Sequence, residues 1–276
     1  MIGYRSKRHV TKKGEQMTPK VVVFGIDGVR LDTLAQAHTP HVDAIAADGF
    51  FTKTRIRDVN PTISGPCWAT IATGVHADAH GIQGNELAGH RLENHPCFLS
   101  RASKAGFRSY AAAGWLPLLT SQQGGPIFRP DALYTPPRPP ESRTGGDAES
   151  DQHTIDHAVE ALSGDIDIAF IYIGQVDDIG HSAGTGAEYR KAVENADTCV
   201  GRVMDAILSR TTYSQETWTM LAVTDHGHRD GGGHGGNSDL ERTAWIAGCG
   251  PGLDASSGGD VEHCDIPRLA LAPLGL

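Results

Sequence analysis

Three stretches of the chain carry nearly unbroken apolar runs of strand length: "KVVVFGI" (20–26), "DIAFIYIG" (167–174) and "TWTMLAVT" (217–224). Such runs, rich in β-branched and aromatic residues, predict strands buried on both faces. "GFRSYAAAG" (106–114) predicts a fourth strand. In "AEYRKAVENADTCVGRVMDAILSR" (187–210), Tyr189, Val193, Ala196, Val200, Val203 and Ile207 recur at three- and four-residue steps, the period of a helix with one apolar face. "HTPHVDAIAADG" (38–49) predicts a second helix, with Thr39 as N-cap, Pro40 in the first turn and Gly49 at its end. Strand, helix, strand with continuous apolar strands implies an α/β protein whose largely parallel sheet is covered by helices on both faces.

The remaining polar stretches set the outline. Residues 1–19 read as a loose N-terminal extension, with folded structure beginning close to Met17, and 20–276 as a single domain without internal repeats. Residues 115–150, with "QQGGP" and "TPPRPPESRTGGD", read as a Pro/Gly-rich loop. Its position after the fourth strand suggests a lid or substrate-contact segment, and a plain surface excursion fits the composition equally.

Composition narrows the class. With 276 residues, 39% hydrophobic and 21% charged, the chain can bury a sizeable core. A formal charge of −9 argues against general nucleic-acid binding and against an anionic membrane surface, though bound cations can reverse the field at one site. No apolar stretch is long enough to span a bilayer. The basic N-terminus lacks a following apolar segment, so no signal peptide is expected. Five cysteines, odd in number and without a CxxC pair, are expected to be reduced thiols in a cytoplasmic protein. Oligomeric state is not legible.

Chemistry enters where the apolar runs stop. The three best strands lead into Asp27, Asp177 and Asp225, and in parallel sheets the carboxyl ends of strands share the ligand-binding edge. His181 follows Asp177 in "DDIGH", His226 follows Asp225, and His234 stands in "GGGHGG". Carboxylate and imidazole donors suit zinc or another divalent first-row metal. Six candidate ligands are enough for two ions with open positions, and two ions at ~4 Å form a clamp for displacement at phosphorus. His228 and Asp230 read as residues behind the ligands or facing solvent. If Asp177 and Asp178 lie on a strand, only one points at a shared site. Ser64 precedes a helix expected from about Pro66 to Thr73, where free N–H groups favour an anion and a nearby cation can activate the hydroxyl. The plainer reading has Ser64 or Thr62 capping that helix.

In this order the motifs resemble the alkaline phosphatase superfamily, and within it the type I phosphodiesterase/nucleotide pyrophosphatase branch. "GIDGVR" resembles the first metal-binding strand end and "TPHVDAIAADG" the "TPNLDAL" helix. "PTISGPCWATIATGVHADAHGIQGN" resembles the nucleophile segment "PTxTFPNHxxLxTGxxPxxHGIxxN". "VDDIGH" is similar to "PDxxGH", "TDHGH" to "SDHGM", and "DIPRLALAPLGL" to the closing helix. The resemblance implies that Asp27, Ser64, Asp225 and His226 hold one metal, with Ser64 as nucleophile. Asp177 and His181 would hold the second, completed by His234, or by His263 as fallback. Asn85 would hydrogen-bond a phosphoryl oxygen, against the plainer reading of a left-handed turn residue.

Departures qualify the substrate. Serine replaces the branch's usual threonine, and Gly65 removes an aromatic that would stand near a bound base. Trp68 occupies the place of the sulfatase arginine, which argues against a sulfatase. Only about a hundred residues separate Ser64 from Asp177, too few for the inserted domain of the phosphoglycerate mutases. The expected function is a two-metal phosphohydrolase acting on a small phosphodiester or pyrophosphate through a phosphoserine, with zinc the first choice and manganese or iron the alternatives. A phosphomonoesterase or phosphonate hydrolase on the same scaffold is the nearest alternative. It would require an added positive group, for which Arg30 or an arginine of 115–150 is available. A non-catalytic metal-binding module is the reading from another class.

Overall fold

The computed structural model describes residues 17–137 and 147–276. Seven strands, β1 (Thr18–Ile26), β2 (Gly49–Arg55), β3 (Ser109–Ala112), β4 (Ala132–Tyr134), β5 (Ile168–Ile173), β6 (Glu216–Val223) and β7 (Thr243–Cys249), form one sheet in the order β2-β7-β6-β1-β5-β3-β4. From β6 to β4 all neighbours are parallel, and only β7 runs against the others. Among the described residues five helices lie between β1 and β3 in the chain: α1 (Leu31–Leu34), α2 (Pro40–Ala47), α3 (Ser64–Thr73), α4 (Ala77–His80) and α5 (Phe98–Lys104). Five follow: α6 (Ala148–Ser163), α7 (Gln175–Ala183), α8 (Ala187–Leu208), α9 (Asp239–Arg242) and α10 (Ile266–Leu271).

Strand alternation divides the core into two layers. Val21 and Val23 of β1, with Phe170, Leu221 and Val223, pack under α3, α5 and α10. Val22, Phe24 and Ile26 turn to the other face, against α2, α6 and α8. Each fully buried side chain of this kind contributes roughly 1.5–3 kcal/mol. The continuous apolar runs of β1, β5 and β6 thus have the cause expected for them, helices on both faces.

Several expectations are corrected at the edges. Strand β1 begins at Thr18, which pairs with Glu216, so residues 17–19 belong to the fold, and 1–16 lie outside the described residues. Thr39 precedes α2 without a side-chain cap, and Gly49 opens β2. The 115–150 stretch is not a structureless loop. Leu118, Leu119, Ile127 and Phe128 are buried in the first layer, β4 adds to the sheet, and α6 starts at Ala148. Residues 138–146 lie outside the described residues. The apolar side chains dispersed among Pro and Gly drive this segment inward, so composition misread it.

Candidate metal centre

The order β6-β1-β5 places three carboxyl ends side by side, and each delivers one aspartate. Asp27 follows β1 and donates its backbone N–H to Ile173 O at the end of β5 (3.0 Å). Asp225 lies just past β6, where its Oδ1 accepts the N–H of Gly28 (3.0 Å). Asp177 lies in the first turn of α7, beyond β5. By alternation, Asp27 and Asp225 continue the face of Val23 and Val223, the face that carries α3. Asp177 and Asp178 are on a helix, so their divergence is that of helix neighbours and not of a strand.

Around these aspartates the donor atoms form two groups, each within 4.8 Å, Asp27, Asp225 and His226, and Asp177, His181 and His234, and a third set, Asp177, His226 and His228, joins them. His226 Nε2 lies 3.2 Å from Asp225 Oδ2, 3.6 Å from Asp27 Oδ1 and 3.3 Å from Ser64 Oγ. Its Nδ1 faces Gly227 O at 3.2 Å. A carbonyl only accepts, so in the neutral ring Nδ1 carries the proton and Nε2 presents a lone pair to the carboxylates. His234 has Nδ1 on Thr62 O (2.8 Å) and Nε2 turned to His181 Nε2 (2.9 Å) and Asp177 Oδ1 (3.4 Å).

This concentration of acceptors is electrostatically uncompensated. Burial, with Asp177 nearby, raises the Asp27 carboxyl to about 7. Burial and Asp27 push Asp225 well above the ordinary range. Burial also opposes charge on Asp177, yet hydrogen bonds from His228 and His234 hold it well below that range. Burial keeps His226 neutral, far below its usual value. Asp27 Oδ1 and Asp225 Oδ2 are buried and accept no hydrogen bond, a costly state unless something positive lies between them. A divalent cation fits this donor set.

Ser64 is the first residue of α3, a helix buried along its whole length. No side chain caps that helix, and Thr62 Oγ1 bonds Gly236 O instead (2.8 Å), so neither Ser64 nor Thr62 serves as a cap. Asn85 Oδ1 accepts the N–H of Gly65 (2.8 Å), which leaves the amide NH2 as the remaining donor of Asn85 and occupies a backbone N–H expected to be free for an anion. Asn85 is not in the left-handed region. His263 Nε2 bonds Thr224 O (2.8 Å) and stands apart from both groups, whereas His234 touches Asp177. His228 is fully buried, with Nε2 2.9 Å from Asp177 Oδ1, which corrects the solvent-facing reading; Asp230 is largely exposed and pairs with Arg30 (2.7 Å). Arg30 is also bound by Asp32 (2.6 Å), so it is no free cation for a phosphoryl group. Arg129 is exposed beside α5, and the other arginines of 115–150 lie outside the described residues.

Two residues escaped the sequence reading. Trp68 Nε1 and Tyr172 Oη both donate to Asp27 Oδ2, at 2.9 and 2.8 Å. For Tyr172 the available signal was a polar-tipped aromatic inside a fully apolar strand, which must find a partner when buried; Trp68 lies on α3 and carried no such signal.

A largely parallel sheet flanked by helices, with acids at the carboxyl ends of its central strands, defines an alkaline-phosphatase-like α/β protein. Human ectonucleotide pyrophosphatase/phosphodiesterase 5 superposes with a TM-score of 0.69 at 16% identity, covering 93% of this chain and 95% of that one. An inactive form of the murine protein 5, in complex with AMP, gives 0.58 at 22% identity over 76% and 57%. Ectonucleotide pyrophosphatase/phosphodiesterase family member 7 of Mus musculus is 25% identical over 242 residues, 79% of this chain and 52% of that protein. The chain spans about half the length of the curated member 7 relatives it matches. The sequence model of the type I phosphodiesterase/nucleotide pyrophosphatase family matches residues 21–235, and the chain belongs to that family.

Proposed function

We propose that this chain is a phosphohydrolase that cleaves a small phosphodiester or pyrophosphate through a phosphoserine at Ser64. Asp27, Asp225, His226 and Ser64 would hold one divalent cation, and Asp177, His181 and His234 the second, with zinc preferred. Bound cations supply positive charge that favours the Ser64 alkoxide and offsets charge on phosphoryl and leaving oxygens. Ser64 Oγ attacks phosphorus, the bond to the leaving oxygen breaks, and water later cleaves the Ser64 ester. The amide NH2 of Asn85 would donate to an equatorial oxygen.

The observation that carries this reading is the Ser64 hydroxyl, 3.3 Å from His226 Nε2, beside two buried carboxylate oxygens without partners. A hydroxyl at that place favours a catalyst over a metal-stapled loop. The neutralised Arg30 favours diesters over monoesters. The AMP bound by the murine relative supports a nucleotide-sized ester. Gly65 offers no stacking ring here, because a Cβ would lie 2.4 Å from Gly84 O. The five unpaired thiols support a reducing, cytoplasmic setting.

Ser64→Ala should abolish hydrolysis of bis-p-nitrophenyl phosphate while about two equivalents of divalent metal remain bound. Wild-type turnover in that variant would refute the covalent step, and faster cleavage of p-nitrophenyl phosphate by the wild type would favour a monoesterase.

A further inference from the structure

Each carboxylate at the first site has one oxygen occupied and one free. Asp225 Oδ1 accepts the N–H groups of Gly28 and His226, both at 3.0 Å, and its Oδ2 has no partner. Asp27 Oδ2 accepts Trp68 Nε1 and Tyr172 Oη, and its Oδ1 has no partner. The free oxygens both face His226 Nε2, which also faces Ser64 Oγ. The site therefore presents four donor atoms, one from each residue.

The Asp27 clamp draws on three elements. Gly25 lies across the β1–β5 ladder from Tyr172. A Cβ at Gly25 would lie 2.7 Å from the Trp68 ring and 2.8 Å from that of Phe170, so its absence admits the indole beneath Asp27. Trp68 is fully buried and meets Phe170 and Tyr172 edge to face, at 5.6 and 5.8 Å between centroids. Packing thus holds both donors on one carboxylate oxygen.

We propose that Trp68 and Tyr172 are positioning residues that restrict Asp27 to single-oxygen ligation and so make the first site select a four-coordinate cation of the zinc type. Magnesium and calcium take six or more oxygen ligands, and calcium often takes both oxygens of a carboxylate, which this clamp prevents. The inference rests on the reading that Asp27, Asp225, His226 and Ser64 bind a cation.

The test is calorimetric titration of the metal-stripped full chain with Zn2+ and with Mg2+, together with the visible spectrum of the Co2+ form, which is intense for four-coordinate cobalt and weak for six. Tyr172→Phe removes one hydroxyl and keeps the ring; Trp68→Phe removes the indole N–H. Each should lower Zn2+ affinity at one site about 10–100-fold, leave Mg2+ affinity no lower, and weaken the cobalt bands. Far-UV circular dichroism of the stripped protein checks folding, and Tyr172→Phe decides if Trp68→Phe does not fold. Asp27→Asn and His226→Ala should each lose one equivalent of zinc. If these two keep both equivalents, the cation reading itself fails. If they lose one while Tyr172→Phe keeps wild-type zinc affinity and cobalt spectrum, the positioning role is overturned.

Discussion

Gly28 shows how narrowly single positions constrain this centre. Its φ is 70°, and a Cβ there would lie 2.7 Å from His228 Nε2 and 2.9 Å from Asp177 Oδ1. Gly28→Ala combines backbone strain with overpacking and should cost ~2–4 kcal/mol in urea unfolding, with weaker zinc binding in the same preparation. His263 is informative in another way. Burial drops its imidazole from 6.5 to about 4, so the folded chain keeps it neutral. The unfolded chain takes up that proton below about pH 6.5, the folded chain only near 4. Stability is therefore lost as pH falls from 6.5 towards 4, and at most ~3 kcal/mol belongs to this residue. His263→Gln, which retains a donor for Thr224 O, should flatten the pH dependence of urea unfolding over that window. An unchanged slope would refute the assignment.

At the scale of elements, β1 is both the spine of the core and the first arm of the site. Its N-terminal end is anchored by Lys20, a buried ammonium bonded to Asp167 (2.8 Å) and to Ile166 O (2.9 Å). Its C-terminal end delivers Asp27, and between them Gly25 admits Trp68. Gly25→Ala should destabilise by about 1–3 kcal/mol through overpacking, measured as a lower urea midpoint at constant m-value. Legibility varied along the sheet for physical reasons. Strands β1, β5 and β6 are central and covered on both sides, so their apolar runs are continuous. Strand β2 lies at the edge and alternates, with Phe50, Thr52 and Thr54 inward and Lys53 and Arg55 outward, a pattern blurred by the helix before it. Strand β7 is apolar but follows helix α9 directly, so no turn residue marks its start. Helix α6 buries Ile155, Ala158 and Leu162 on one face and is otherwise polar, so it reads as a continuation of the loop before it.

For the whole molecule the decisive quantity is the unbalanced charge inside the fold. Asp27, Asp177 and Asp225 are buried together, beside a His226 imidazole that burial keeps neutral. A cation that binds only the folded chain adds stability by mass action, ~2.7 kcal/mol per site at a hundredfold excess over Kd. Chelation should therefore lower the melting temperature, zinc should restore it, and Asp27→Asn with Asp177→Asn should remove the response. A melting curve indifferent to chelator in the wild type would count against both sites.

By itself the sequence determined the α/β class, the three central strands and the residues that end them, because alternation and apolar runs are local properties of the chain. It also made Asp27, Ser64, Asp177, His181, Asp225, His226 and His234 the candidates, since these side chains carry the needed donor atoms. Tertiary structure alone decided that His234 and not His263 meets Asp177, that His228 is buried, that Arg30 is neutralised, and that Trp68 and Tyr172 grip one oxygen of Asp27. Those relations join residues distant along the chain. They depend on strand order and on how side chains pack across layers, and no local pattern encodes either.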